Sequence, residues 1–233
     1  MKYISVVFIS FLCFTNAVAH GDSTRIRVLK TNPLSLFDFD NSFNVAYEQF
    51  FRKDKSFQLE AGYGNTDFNL LMGQNNNELR GFHVIKARTE YRKYSSRSLS
   101  TLPEGSYIGV ELFYKTVFKK EEINIGREPI NGAPQYWEYV DGIVRKTVGG
   151  SHFKFGRQFY VLDSFVEKKR RLLMDVHIGL GFRVVDNRYN YQNKRSDDFL
   201  GRSPMRTFAT FAPANQTTPY VSATIGFKLG YLL

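Results

Sequence analysis

The feature that most constrains this chain is a strict alternation of apolar and polar residues near its C-terminal end. From Val221 to Tyr231 one face reads Val221, Ala223, Ile225, Phe227, Leu229 and Tyr231, and the other Tyr220, Ser222, Thr224, Gly226, Lys228 and Gly230. The segment before it does the same. Leu172, Met174, Val176, Ile178, Leu180, Phe182 and Val184 share one face, against Asp175, His177, Gly179, Gly181 and Arg183. A period of two is the period of a β-strand and cannot serve a helix, whose apolar stripe recurs every 3.6 residues.

The same pattern runs upstream. Phe43, Val45 and Tyr47 oppose Asn44, Ala46 and Glu48; Phe57, Leu59, Ala61 and Tyr63 oppose Gln58, Glu60 and Gly62. Ile85, Ala87, Thr89 and Tyr91 oppose Lys86, Arg88, Glu90 and Arg92; Ile108, Val110, Leu112 and Tyr114 oppose Gly109, Glu111 and Lys115. Two further strands are predicted, near Arg25 to Leu36 (interrupted by Pro33) and near Thr147 to Val161. About eight strands result. The expected fold is all-β, an antiparallel up-and-down transmembrane barrel.

Connection lengths give the barrel a direction. Short or moderate links are expected at Arg52 to Lys55, Ser95 to Glu104 and Leu162 to Arg170, and long ones at Gly64 to Leu79, Lys119 to Gly142 and Asp186 to Thr218. The first link, Phe37 to Asn41, is short and breaks the trend. Short turns on the periplasmic side and long external loops are the asymmetry of outer-membrane barrels. Both termini are then periplasmic.

The N-terminal segment is read as a secretory signal peptide over residues 1–19. Lys2 is its positive start, Tyr3 to Phe14 its apolar run, and Ala17-Val18-Ala19 its cleavage site. Residues 20–233 form one barrel domain. The single cysteine, Cys13, lies in the signal segment, where Phe11-Leu12 is a poor lipoprotein match, so the exported part has no disulfide. The formal charge is +10. With no basic helix and no nucleic-acid motif, nucleic acid is not an expected partner. Anionic outer-membrane lipid and lipopolysaccharide phosphates suit it better.

Alternation alone does not say which face is inside, because a lipocalin-like soluble barrel alternates too. Three features favour lipid outside. The polar face carries Gly62, Gly109, Gly179, Gly181, Gly226 and Gly230, and a crowded interior needs such room. The polar face also mixes both signs of charge: Glu48, Glu60, Glu90, Glu111 and Asp175 against Lys86, Arg88, Arg92, Lys115, Arg183 and Lys228. Enclosed charges need partners. Finally, the chain stops on a strand, as a sheet that must close on itself would. The expected interior is a lumenal polar network of these eleven residues with His177.

Thr224-Ile225-Gly226-Phe227-Lys228-Leu229-Gly230-Tyr231 resembles the assembly signal of outer-membrane barrels, with Thr224, Gly226, Leu229 and Tyr231 at its marked positions, although two leucines follow the aromatic. The resemblance implies the barrel-assembly machinery as a partner. With the strand pattern, the chain looks like the small OmpX- and OmpA-like barrels. Tyr47-Glu48, Tyr91-Arg92-Lys93-Tyr94 and Pro103-Glu104-Gly105-Ser106-Tyr107-Ile108-Gly109 resemble an uncharacterised barrel family of Bacteroidota. The resemblance implies fold and location and no chemistry.

No catalytic residue, cofactor or metal ligand is assigned from the sequence. Ser151 and His152 are neighbours on a strand and point to opposite faces. Asp175, His177, Ser222 and Thr224 share the polar face. If Val184 pairs near Pro219, His177 lies opposite Gly226, Asp175 meets Lys228 in an ion pair, and Ser222 is too far along to complete a triad. The His-x-Ser element of lipid-deacylating barrels is absent. His20, His83, His152 and His177 lack ligand spacing, and the pairs Glu121-Glu122 and Asp197-Asp198 lie in loops. The outermost loop interleaves Arg188, Lys194, Arg195, Arg202 and Arg206 with Tyr189, Tyr191, Phe199, Phe208 and Phe211, which suits a phosphate-rich lipid surface. The leading functional expectation is a structural or surface-interaction barrel; the alternatives are a narrow pore or small-molecule binder, and a lipid-modifying enzyme.

Overall fold

The computed structural model describes residues 26–36, 42–65, 81–95, 103–161, 171–191, 193, 199–200 and 217–233. Residues 1–19, read above as a signal peptide, Cys13 among them, His20, and most of the segment 186–218 expected as a loop lie outside these residues. Nine strands follow in chain order: β1 (Arg27–Thr31), β2 (Ser42–Arg52), β3 (Lys55–Asn65), β4 (His83–Tyr94), β5 (Gly105–Arg127), β6 (Tyr136–Tyr160), β7 (Leu172–Tyr191), β8 (Phe199–Leu200) and β9 (Thr217–Leu232). A 3-10 turn, Pro33–Leu36, follows β1.

Eight of these strands form a ring. Each pairs antiparallel with its neighbour from β1 through β7, β7 pairs β9, and β9 pairs β1. The two-residue β8 adds to the far end of β5. Stepping across paired residues from Lys30 through Ala46, Glu60, Arg88, Phe113, Gly150 and Arg183, the register reaches Tyr220, ten residues from Gly230, the partner of Lys30. A stagger of that size is what a small closed barrel with strands tilted by about 40° requires. The expected register of the closing pair holds residue for residue: Val184 faces Pro219, His177 faces Gly226 and Asp175 faces Lys228.

The apolar faces point out and the polar faces point in. Ile85, Val110, Leu112, Phe155, Ile178, Leu180 and Ile225 are exposed, whereas Glu48, Glu90, Arg92, Lys154, Asp175 and Lys228 are buried. The interior is layered. Val28, Phe50, Tyr94, Tyr107 and Leu173 pack together at the end where β1 begins and β9 ends. The charged residues fill the middle. Phe82, Val84, Val117, Ile123, Ile125, Val144, Tyr189 and Tyr191 pack at the opposite end.

Two departures from the expected layout matter. The segment Lys119 to Gly142 is not a loop. β5 and β6 run on as a paired hairpin to Arg127 and Tyr136 and bring β7 with them to Tyr191. The tip bridges Ile130 to Ala133, with Asn131 and Gly132 both left-handed. An Asn-Gly pair there supplies the two positive φ angles of a type I′ hairpin turn. Second, the described strands do not close the ring over its whole height. β1 ends at Thr31, the partner of Leu229, while β9 continues to Thr217. Among the described residues no strand covers that edge of β9 from Thr217 to Lys228. The turn Pro33–Leu36 stands in the gap and contacts both β2 and β9. Val221 and Ile225 border it and are the most exposed large apolar residues described, at 86% and 81%, against 66% for Leu180 in the fully paired β7.

Candidate functional site: a buried charge network and a serine–histidine–glutamate row

The site is the interior itself, built by every second residue of all eight ring strands. Its lower layer centres on Lys30 and Asp175. The Lys30 ammonium donates to Asp175 Oδ2 (2.7 Å) and Gln158 Oε1 (2.6 Å) and ion-pairs with Glu48 Oε2 at 2.7 Å. The Arg92 guanidinium donates to Asp175 Oδ2 at 2.6 Å and, as a fork, to Glu90 at 2.7 and 3.0 Å. Its face lies 4.3 Å from the Tyr107 ring centre. The Tyr107 hydroxyl donates to Asp175 Oδ1 at 2.7 Å, and Tyr94 and Ser56 donate to Glu48. Groups this deeply buried need partners, and most of the charged groups have them, although Glu48 Oε2 and Glu60 Oε1 meet their cations without a hydrogen bond.

Above this layer Glu90 and Glu111 face each other directly across β4 and β5. Like charges in that position repel. Lys154, projecting from β6, ion-pairs with both and neutralises the clash. Glu60 takes Lys228 in a short ion pair and Arg88 at 3.4 Å. Lys86 donates to Ser42 Oγ at 2.8 Å.

The expected lumenal residues fall as follows. Glu48, Glu60, Lys86, Glu90, Arg92, Glu111, Asp175, His177 and Lys228 are buried inside. Arg88 and Lys115 face in and are half-buried. Arg183 occupies an inward register position but is exposed, stacked over Tyr220 at 5.9 Å. The Asp175–Lys228 ion pair does not form. The two face each other, but Lys228 reaches across the ring to Glu60. His177 lies over Gly226, where any Cβ would press on its ring, and its Nδ1 makes no hydrogen bond. Of the residues at the assembly-signal positions, Tyr231 is exposed, Leu229 and Thr224 are half-buried, and Gly226 sits beneath His177.

Besides hydroxyl and amide partners such as Tyr107 and Gln158, three basic contributors were not in the expected network: Lys30, Lys154 and His152. The first two had a visible signal. Lys30 alternates with the outward Leu29 in β1, and Lys154 falls between the outward Phe153 and Phe155. His152 makes the most specific contacts of the three. It faces Glu111 directly on β5, and its other neighbour, Gly181 on β7, carries no side chain. The ring therefore reaches over Gly181 to Ser222 on β9, Gly181's own partner. His152 Nδ1 lies 3.1 Å from Glu111 Oε1 and Nε2 lies 3.0 Å from Ser222 Oγ. Glu111 accepts only, so Nδ1 donates to it, and Nε2 is left to accept from the Ser222 hydroxyl. The imidazole is stacked on Phe113, 4.6 Å away and 7° from parallel.

Among the described residues no cluster of three or more metal-ligating side chains is present, and no helix is long and apolar enough to cross a membrane. No protein-family model, no curated protein and no solved structure matches the chain.

Proposed function

We propose that the chain is a β-barrel of a bacterial outer membrane, with a structural or surface-interaction role and an ion-paired interior in place of a channel. The carrying observation is the inversion of polarity: exposed Ile, Leu, Val, Phe and Tyr on the outer face, buried Lys, Arg, Glu and Asp within. In water, a continuous apolar band around the ring would be a large aggregation-prone patch. In lipid it is the required surface. The reverse arrangement, with apolar residues lining a cavity, is what a soluble ligand-binding barrel needs.

The hairpin beyond the ring supports the surface role. It presents Ile130, Tyr136, Trp137 and Tyr139 to the outside. Outer-membrane lipid and lipopolysaccharide are the proposed surroundings, the barrel-assembly machinery the proposed route of insertion, and the periplasm the side of both termini. The likeness to OmpX-like barrels rests on strand number and the closing strand. Fractionation of cells expressing the full chain tests this reading. The protein is expected in the outer membrane, with a shift in gel mobility on heating and no steady conductance in planar bilayers. Recovery from the soluble fraction as a folded monomer would exclude it.

A further inference from the structure

We propose that Ser222 is an acyl-accepting nucleophile, with His152 as its general base and Glu111 positioning the imidazole, and that the substrate is the carboxylic ester of an acyl lipid. Three observations converge. The first is the connected row Ser222–His152–Glu111 at 3.0 and 3.1 Å, in which each group has the chemical type its role demands. The row is hydrogen-bonded from end to end, whereas among its lumenal neighbours Glu48 Oε2, Glu60 Oε1 and His177 Nδ1 make no hydrogen bond. The second is locking. Phe113 stacks on the imidazole, and Lys154 holds the other Glu111 oxygen, so neither base nor carboxylate is free to turn away.

The third is access. Ser222 is buried, at 8% exposure, but lies less deep than the Lys30, Glu48, Arg92 and Asp175 layer at 0–1%. It sits on β9 along the stretch whose other edge has no strand partner among the described residues. That gap is bordered on the outer face by Val221, Ile225 and the exposed Leu34 of the 3-10 turn. An acyl chain approaching from the apolar side meets apolar side chains first and the Ser222 hydroxyl one residue inward.

The chemistry balances as hydrolysis. Ser222 Oγ attacks the ester carbonyl carbon while its proton passes to His152 Nε2. The bond from that carbon to the alcohol oxygen then breaks, and His152 returns the proton to the departing alkoxide. Water, deprotonated by His152, cleaves the acyl-Ser222 ester, releasing a carboxylic acid and restoring the hydroxyl. Ester and water give acid and alcohol, and no other reactant is needed.

The choice of an acyl lipid rests on the membrane reading above; the nucleophile does not. The test uses the full chain in detergent micelles with a fluorophosphonate probe and peptide mass spectrometry. A covalent adduct on Ser222 is expected, absent in Ser222→Ala and formed about 100-fold more slowly or worse in His152→Gln. Glu111→Gln is expected to slow labelling and change its pH profile, which loss of packing alone would not do. Folded wild-type protein, verified by heat-modifiable mobility, that takes no adduct on Ser222 overturns the proposal. So does an adduct that forms at an undiminished rate in a folded His152→Gln variant. Hydrolysis of p-nitrophenyl butyrate but not of phospholipid in mixed micelles would overturn the lipid assignment and leave the nucleophile standing. Failure of labelling in a protein that still fractionates with the outer membrane counts against this inference alone.

Discussion

Asp175 and Lys228 stand opposite each other across β7 and β9 and yet bond to different partners. Asp175 is held by Lys30 from β1, Arg92 from β4 and Tyr107 from β5, while Lys228 crosses to Glu60 on β3. Each ion pair thus ties strands that are not neighbours in the sheet, and the interior braces the ring across its diameter.

Unequal losses follow for the two residues. Asp175→Asn leaves Lys30 and Arg92 facing a neutral group and is expected to cost about 3–5 kcal/mol, the range for breaking a buried pair. Lys228→Met leaves Glu60 with the partly exposed Arg88, so its cost should be clearly smaller. Urea unfolding of both variants in lipid vesicles measures the difference. Equal costs would mean that the network is not centred on Asp175.

How much of this was legible from the sequence follows the range of each interaction. Alternation is local, so the strand faces, the turn at Arg52–Lys55 and the pairing of Val184 with Pro219 could all be read. Ion-pair partners could not. They depend on ring closure and on a stagger of ten residues, which bring Lys228 to Glu60 and Lys30 to Asp175 from far apart in the chain. The row from Glu111 to Ser222 depends on Gly181 being empty in register between His152 and Ser222, a relation among four strands. The long hairpin had a signal that went unused, Asn131-Gly132, because the charged stretch before it, Lys119-Lys120-Glu121-Glu122, reads as loop.

The hairpin should be separable from the ring. Ile125 and Val144 lie fully buried in the cluster at its base. Val144→Asp places an unpaired carboxylate there and is expected to loosen the hairpin, exposing the 128–135 tip to protease while the ring keeps its heat-modifiable mobility. Limited proteolysis followed by mass spectrometry reads this directly. Loss of the ring together with the hairpin would show the two to be one cooperative unit.

The aromatic layer near the chain's paired ends should carry part of the seal. Apolar packing seals both ends of the charged layers, around Leu173 at one end and Val144 at the other. Planar-bilayer recordings of the wild type are expected to show no steady current. Replacing Tyr107 by Ala also removes the phenol that lies over Gly156 and bonds Asp175. That variant is expected to show transient openings, without which the aromatic layer is not the seal.

Ile225 and Lys228 lie three residues apart on β9 and point in opposite directions, one highly exposed and one buried. Ile225 and Leu180 sit near the middle of the apolar band, so arginine at either is expected to cost about 2–4 kcal/mol in a bilayer. Arginine at Gly226 would instead strike His177, and its cost should follow the interior charges and not the depth. Spin labels at 225 and 228 in lipid vesicles separate the membrane barrel from a water-soluble one. Dissolved oxygen concentrates in the hydrocarbon, so the label at 225 should relax strongly and the label at 228 should not. Because Ile225 also borders the open edge of β9, its label should move more freely than one at Leu180, which is flanked by strands on both sides. Shielding of 225 from oxygen, with 228 open to bulk water, would reverse the barrel and exclude the membrane. Equal mobility at 225 and 180 would close the gap beside Ser222.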